Sequence, residues 1–322
     1  MPHSLAREQD ILKRVPPKRP PRRSSRRIGI HTSVAGGVEN AAERAYRLGC
    51  SAFQIFSSSP RQWAPYQLSR RQCDEMCRLR DRYELKPLVI HTNYLVNLAA
   101  SNQLFLEKSI LAFRGEVERA LALGAEYLVL HPGSFRGSDR ETGLRQTAAA
   151  IAVATQALDL AKGNLTILIE NTAGAEYSLG GSFEQVGEIL ARLRGVVPIA
   201  ACMDTCHTHV AGYDIVSAVG LRHTLANLDA TIGLRNVPVW HCNDSKAARG
   251  SRLDRHEHIG KGEIGLEPFR RLLNDPRLNQ AAFIAETPID APGDDQRNVA
   301  ALKRLVANKV RSGLSETTRR KA

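Results

Sequence analysis

Eight short apolar runs recur along the 322-residue chain, and the residue that follows each one constrains the fold more than any other feature. The runs read IGI, AFQIF, PLVI, YLVL, TILI, PIAACM, VPVW and AFIA. Between most of them lie stretches rich in Ala, Leu, Arg and Glu with helix-like spacing, at residues 37–49, 69–84, 104–123, 142–162 and 183–194. Strands alternating with helices predict an α/β fold with a parallel sheet covered by helices. Eight such units in roughly 260 residues have the size and count of a closed (β/α)8 barrel.

The residues at the C-terminal ends of the runs are His31, Ser57, His91, His131, Glu170, Asp204, His241 and Glu286, seven of which are metal-ligand types. In a barrel these ends converge on one rim, the face on which active sites are built. A lone histidine after a strand is ordinarily a hydrogen-bonded loop residue, and a lone glutamate caps a helix. Repetition at strand ends far apart in sequence weakens that reading, because imidazoles and carboxylates buried together without a cation leave costly unsatisfied groups. Mixed His nitrogen and carboxylate oxygen suits Zn²⁺, with Mn²⁺ or Fe²⁺ as substitutes.

The stretch DTCHTHVAGYD at residues 204–214 fits this pattern, with Asp204 as the sixth strand end and His207 a short step beyond it. A zinc finger would need four Cys/His ligands in compact spacing, and CMDTCHTH is embedded in strand-like sequence instead. Cys206 as a nucleophile beside His207 would leave the other rim residues unexplained. There is no Walker-type phosphate loop, and the glycines of HTSVAGG are wrongly spaced for a dinucleotide fingerprint, so no nucleotide cofactor is expected.

Charge points to a partner only through its location. The net charge is +12, of which +7 falls in residues 1–27 and +4 in residues 308–322, leaving about +1 for the 280 residues between. Both tails, the first with VPPKRPPRRSSRR, read as disordered and basic, able to attract phosphates non-specifically or to remain solvated. The expected layout is a tail at 1–27, a barrel at 28–307 and a tail at 308–322. No apolar run has the length of a membrane helix or the pattern of a secretory signal, so a cytoplasmic location is expected. The six cysteines are expected to be reduced thiols, with Cys73 and Cys77 packed on a helix and not paired on a metal.

With these residues in place, the chain resembles the endonuclease IV family of DNA base-excision repair from about residue 28 to 305. The resemblance rests on six motifs in order: HTSVAGG, HTNYLVNLA, HPGS, IENTAG, DTCHTHVAGYD and HCNDSKAARGSRLDRHEHIGKGEIG. It implies a TIM barrel with three zinc ions. By that resemblance His91, His131 and Glu170 hold the first ion, and Glu170 bridges to a second completed by Asp204, His241 and Glu286. His207, Asp254 and His256 hold the third; the roles of Asp254 and His256 come from the resemblance alone, since LDRHEH otherwise passes as a solvated turn. His31 belongs to the surroundings of the site.

The implied reaction is hydrolysis of the phosphodiester 5′ to an apurinic/apyrimidinic site, giving a 3′-hydroxyl and a 5′-deoxyribose phosphate. Bound cations lower the pKa of water and stabilise the departing oxygen, while Glu170 and Glu286 act as catalytic carboxylates, Glu286 orienting or deprotonating the water. The resemblance places Arg61 of SPRQW and Tyr94 with Leu95 of HTNYL on loops that enter damaged double-stranded DNA, and a monomer is expected. Ser59, Phe135 and His209 depart from the usual family pattern without touching an assigned ligand. A sugar isomerase or epimerase on the same barrel is the main rival, but it does not explain the third ligand set. A non-enzymatic DNA-binding module would use the tails, yet has no need of nine assembled ligands.

Overall fold

All eight expected runs form strands in the computed structural model, which describes residues 24–64 and 66–307. They are β1 (Arg27–Ile30), β2 (Phe53–Phe56), β3 (Leu88–His91), β4 (Tyr127–Leu130), β5 (Thr166–Glu170), β6 (Ile199–Asp204), β7 (Val239–His241) and, after a two-stranded ribbon, β10 (Ala282–Ala285). The ribbon pairs β8 (Asp244–Ser245) with β9 (His256–Glu257) antiparallel. The eight long-range strands form one parallel sheet in the order β1-β10-β7-β6-β5-β4-β3-β2.

The sheet closes where β1 meets β2. His31 and Gln54 form a parallel bridge there, and the Thr32 amide donates to Gln54 O at 2.8 Å. Gly29 permits the approach, because a Cβ at that position would lie 2.5 Å from Ala52 O. The result is a (β/α)8 barrel.

Helices α1 (Asn40–Arg47), α2 (Arg70–Tyr83), α3 (Gln103–Ala122), α4 (Arg140–Thr155) and α5 (Phe183–Leu193) fall within or next to the helix-like stretches. The fourth ends seven residues early, at Thr155, because Gln156 turns extended and Ala157 adopts φ +61°. Four more α-helices follow among the described residues: α6 (Thr205–Val210), α7 (Ala218–Thr231), α8 (Leu266–Asn274) and α9 (Asp294–Leu305). Asn102, Asp139, Ser182, Asp204 and Ser217 each accept a backbone N–H at a helix start, the capping that fixes where these helices begin.

Two main apolar cores and a small cluster of Ala173, Cys206 and Val210 result. The larger packs helices on the outer face of the sheet, with Phe53, Phe113, Phe183, Phe269 and Phe283 fully buried. The smaller fills the barrel interior with Val89, Val129, Leu168, Ala200, Cys202, Val239 and Ile284. Side chains alternate along a strand, so the next inward position lies two residues on. From Val89, Val129, Leu168, Cys202, Val239 and Ile284 that step reaches His91, His131, Glu170, Asp204, His241 and Glu286.

The barrel begins one residue before the expected boundary. Arg27 opens β1 and donates to Gln280 O at 2.9 Å, while Arg26 donates to Asp275 O at 3.0 Å. Residues 1–23 and 308–322 of the expected tails lie outside the described residues. All six cysteines are free. Among the described residues no helix is long and apolar enough to cross a membrane.

Candidate metal centre

Three groups of His and carboxylate side chains gather at the C-terminal mouth of the barrel, and within each group the donor atoms lie within 4.8 Å of one another. The first is His91, His131 and Glu170. Glu170 Oε2 stands 3.1 Å from Nε2 of both histidines. His91 Nδ1 donates to Thr92 O at 2.8 Å, which makes Nε2 the ring nitrogen turned to the Glu170 carboxylate and available to an ion there. The second is Glu170, Asp204, His241 and Glu286. His241 Nδ1 lies 2.9 Å from Glu170 Oε1 and 3.2 Å from Glu286 Oε2. Glu170 therefore offers one oxygen to each group.

The third group, His207, Asp254 and His256, is built differently. His207 sits in α6, a helix capped by the Asp204 carboxylate, while Asp254 and His256 come from the far side of the β8–β9 ribbon. The loop between these strands is fastened to α6 by the amides of Gly250 and Arg252, which donate to His209 O and Val210 O. Asp254 is thereby placed with Oδ2 3.2 Å from His207 Nε2 and Oδ1 3.2 Å from His256 Nε2. His207 Nδ1 donates to Asn171 O, and His256 Nδ1 to Glu286 O, so both rings turn Nε2 toward the group.

Four polar residues hold this arrangement from behind. Gln54, buried in β2, accepts from His241 Nε2 at 2.8 Å and donates to Glu286 Oε1 and His31 Nδ1. Asn171 accepts the Asp204 amide at 2.7 Å. Asn243 donates to Asp204 Oδ2 at 2.6 Å and accepts the Glu286 amide at 2.7 Å. The buried Asp244 carboxylate accepts amides from Ser245, Gly260, Ile264 and Gly265, folding the chain after β9 back on the ribbon. Gly262 passes so close that a Cβ there would lie 2.6 Å from Asp244 Oδ1.

Sequence reasoning assigned none of these four a role. A glutamine at an inward position of the apolar run AFQIF was the available signal for Gln54. Ser57, the expected end of that strand, lies one residue past β2 and faces the outside of the barrel. Its hydroxyl donates to Glu116 and accepts from Arg119 Nε at 2.8 Å, so it belongs to a buried link with α3 and not to the mouth.

The charges reinforce one another. Burial pushes the Glu170 carboxyl upward, but His241 and His131 beside it outweigh that and hold it well below the usual range. Glu286 is likewise lowered against its burial, chiefly by His241. Burial opposes charge on the rings too, yet Asp204 raises His207 well above the ordinary imidazole value, and Asp204 with Asp254 lifts His256 to about 9. Burial pushes the Cys206 thiol up to about 12, which favours the protonated thiol over the nucleophilic thiolate.

His256 Nε2 tests whether a cation suits the site. It is buried without a hydrogen-bond partner and points at carboxylate oxygens of Asp254 and Asp204, 3.2 and 3.7 Å away. A nitrogen left without a partner among carboxylates is what a His/Asp metal site looks like without its ion. The donor set therefore fits a divalent metal.

The cluster lines an open cleft of about 260 Å³ together with His31, Phe56 and Tyr94. Tyr94 is 63% exposed and rests edge-on against Phe56 at 5.2 Å. Its amide donates to Pro60 O, which ties the loop bearing Tyr94 and Leu95 to the loop bearing the exposed Arg61. A larger cavity of about 660 Å³, lined by Arg140, Glu176, Tyr177 and Arg252 among others, includes no residue of the three groups.

Fold and mouth together define a metal-site barrel, and a family described as the xylose isomerase-like TIM barrel matches residues 42–305. A probable endonuclease 4 from Solibacter usitatus is 50% identical over 287 residues, covering 88% of this chain and 98% of that protein. The crystal structure of endonuclease IV from Thermus thermophilus aligns at 39% identity with a TM-score of 0.77, covering 87% of this chain and 98% of that one. The chain belongs to the endonuclease IV family, and it is thereby a nuclease, a hydrolase of DNA repair. A D-tagatose 3-epimerase-like protein aligns at 20% identity with a TM-score of 0.65, covering 87% of this chain and 96% of that one, a likeness in fold alone.

Proposed function

We propose that this mouth cuts damaged double-stranded DNA on the 5′ side of an apurinic/apyrimidinic site, leaving a 3′-hydroxyl and a 5′-deoxyribose phosphate, with three zinc ions as resident cofactors. The observation that carries the reading is the third donor group, His207, Asp254 and His256, beside two that share Glu170. One or two cations suffice for a sugar isomerase or epimerase, which leaves that third group without a purpose.

His91, His131 and Glu170 would hold the first ion, Glu170, Asp204, His241 and Glu286 the second, and His207, Asp254 and His256 the third. When bound, the ions supply positive charge to the phosphoryl transition state and lower the pKa of water. The chain's own residues do the rest. Glu286 lines the cleft and is held as the carboxylate by His241, the form that accepts a hydrogen bond from the attacking water and so orients it. Glu170 fixes the separation of the first two groups through its two oxygens. The exposed Tyr94, with Leu95 and Arg61 on the joined loops, occupies the gap left by the missing base, where extrusion costs least.

The test is a gel assay with a duplex oligonucleotide carrying one central abasic site, run beside the undamaged duplex without added magnesium. A single cut immediately 5′ of the lesion, with an end that a polymerase extends, is expected. No cut by folded protein with full metal sites would shift the reading to a sugar isomerase.

A further inference from the structure

We propose that Gln54 is a positioning residue that sets the affinity of the second metal group by fixing which atoms of His241 and Glu286 face it. The inference rests on reading Glu170, Asp204, His241 and Glu286 as ligands, and none of the motifs that define the family reading assigns Gln54 a part.

Gln54 is completely buried at the seam where β2 meets β1, bridged to His31. Its amide has one acceptor and two hydrogens, and all are used. Oε1 accepts from His241 Nε2 at 2.8 Å. That bond keeps a proton on Nε2 and makes Nδ1, 2.9 and 3.2 Å from Glu170 and Glu286, the nitrogen that would give up its proton to an ion in the group. One amide hydrogen goes to Glu286 Oε1 and the other to His31 Nδ1 at 2.9 Å. With Oε1 engaged, Oε2 is the Glu286 oxygen turned to the group. A carboxylate at position 54 has no hydrogen to give Glu286, and an apolar side chain satisfies neither partner. Closure of the barrel at the β1–β2 seam is thus what selects the tautomer of one ligand and the free oxygen of another.

Full-length chain loaded with zinc is titrated with a chromophoric chelator, and the released equivalents are followed for the parent, Gln54→Met and Gln54→Asn. In Gln54→Met one equivalent should leave at chelator concentrations about 10- to 100-fold lower, the range for loss of a partner behind a metal ligand, while the others leave as in the parent. Gln54→Asn, a milder change that keeps an amide, should shift the same single equivalent by less. In abasic-site cleavage kcat should fall with KM for the duplex unchanged, since Gln54 lies beneath the cleft.

Release curves that coincide with the parent's would overturn the proposal. So would parallel loosening of every equivalent in both variants, the mark of a general structural role. The release curve needs no substrate, so failure of the DNA-cutting reading would leave this test intact.

Discussion

Glu170 and Asp254 do similar work on opposite kinds of support. Glu170 ends a strand of the closed sheet, has no exposed surface and touches histidines from β3, β7 and the β4 end. Asp254 sits in the loop between two-residue strands, with its side chain 49% exposed, and is placed by two backbone bonds to α6 and by the Asp244 clamp behind the ribbon. Barrel strands cannot move one at a time, so the groups they carry are preformed. The loop-borne group depends on a small, separately stabilised unit, and metal and ribbon should support each other there.

The strongest way to break this comparison is Glu170→Gln, which removes charge from both strand-end groups at once. Turnover should fall about 1,000-fold or more, equal to about 4 kcal/mol of barrier, with two equivalents of metal lost and the fold kept. Metal analysis beside single-turnover cleavage checks it; full metal content would remove the bridging role. Asp254→Asn should touch only the loop group. One equivalent should be lost, two kept, and turnover reduced about 100-fold. Loss of all three would show that the two supports are not independent.

Acidity should separate metal-stripped from metal-loaded protein. In metal-stripped protein His256 is lifted to about 9, and His207 and His241 also lie well above the ordinary value near 6.5. A raised imidazole pKa stabilises the folded chain fully below about 6.5 and loses that contribution as pH rises through the raised value. Metal-stripped protein should therefore lose thermal stability between about pH 6.5 and 9. Loaded protein should behave oppositely, since binding displaces those protons and the metal is held more tightly as pH rises. Parallel melting curves at several pH values decide it, and equal slopes would contradict the charge balance described above.

The smallest effect is expected outside both supports. Tyr94→Ala should weaken binding to abasic duplex about 10-fold, the loss of one aromatic contact, with metal content unchanged. Equal loss of binding and metal would make Tyr94 a packing residue of the β3 loop.

The same contrast explains what could be read from sequence. His91, His131, Glu170, Asp204, His241 and Glu286 stand two residues past inward apolar positions, so strand periodicity and barrel closure suffice to bring them together. His207 was legible as one step beyond a strand end. Asp254 and His256 were not, because the ribbon strands are two residues long and their placement depends on Asp244 gathering amides from four later residues. Only likeness to a family pointed to them. Gln54, Asn171 and Asn243 were hidden for another reason: an amide declares its partner only through three-dimensional geometry. Ser57 shows the reverse error, since one residue past β2 the chain already faces outward.

Anomalous diffraction at the zinc edge, from crystals of the purified full-length chain, tests the central claim most directly. Three peaks are expected, two flanking Glu170 and one between His207, Asp254 and His256. Two peaks at Glu170 and none at the third group, in a preparation that cuts at abasic sites, would contradict it.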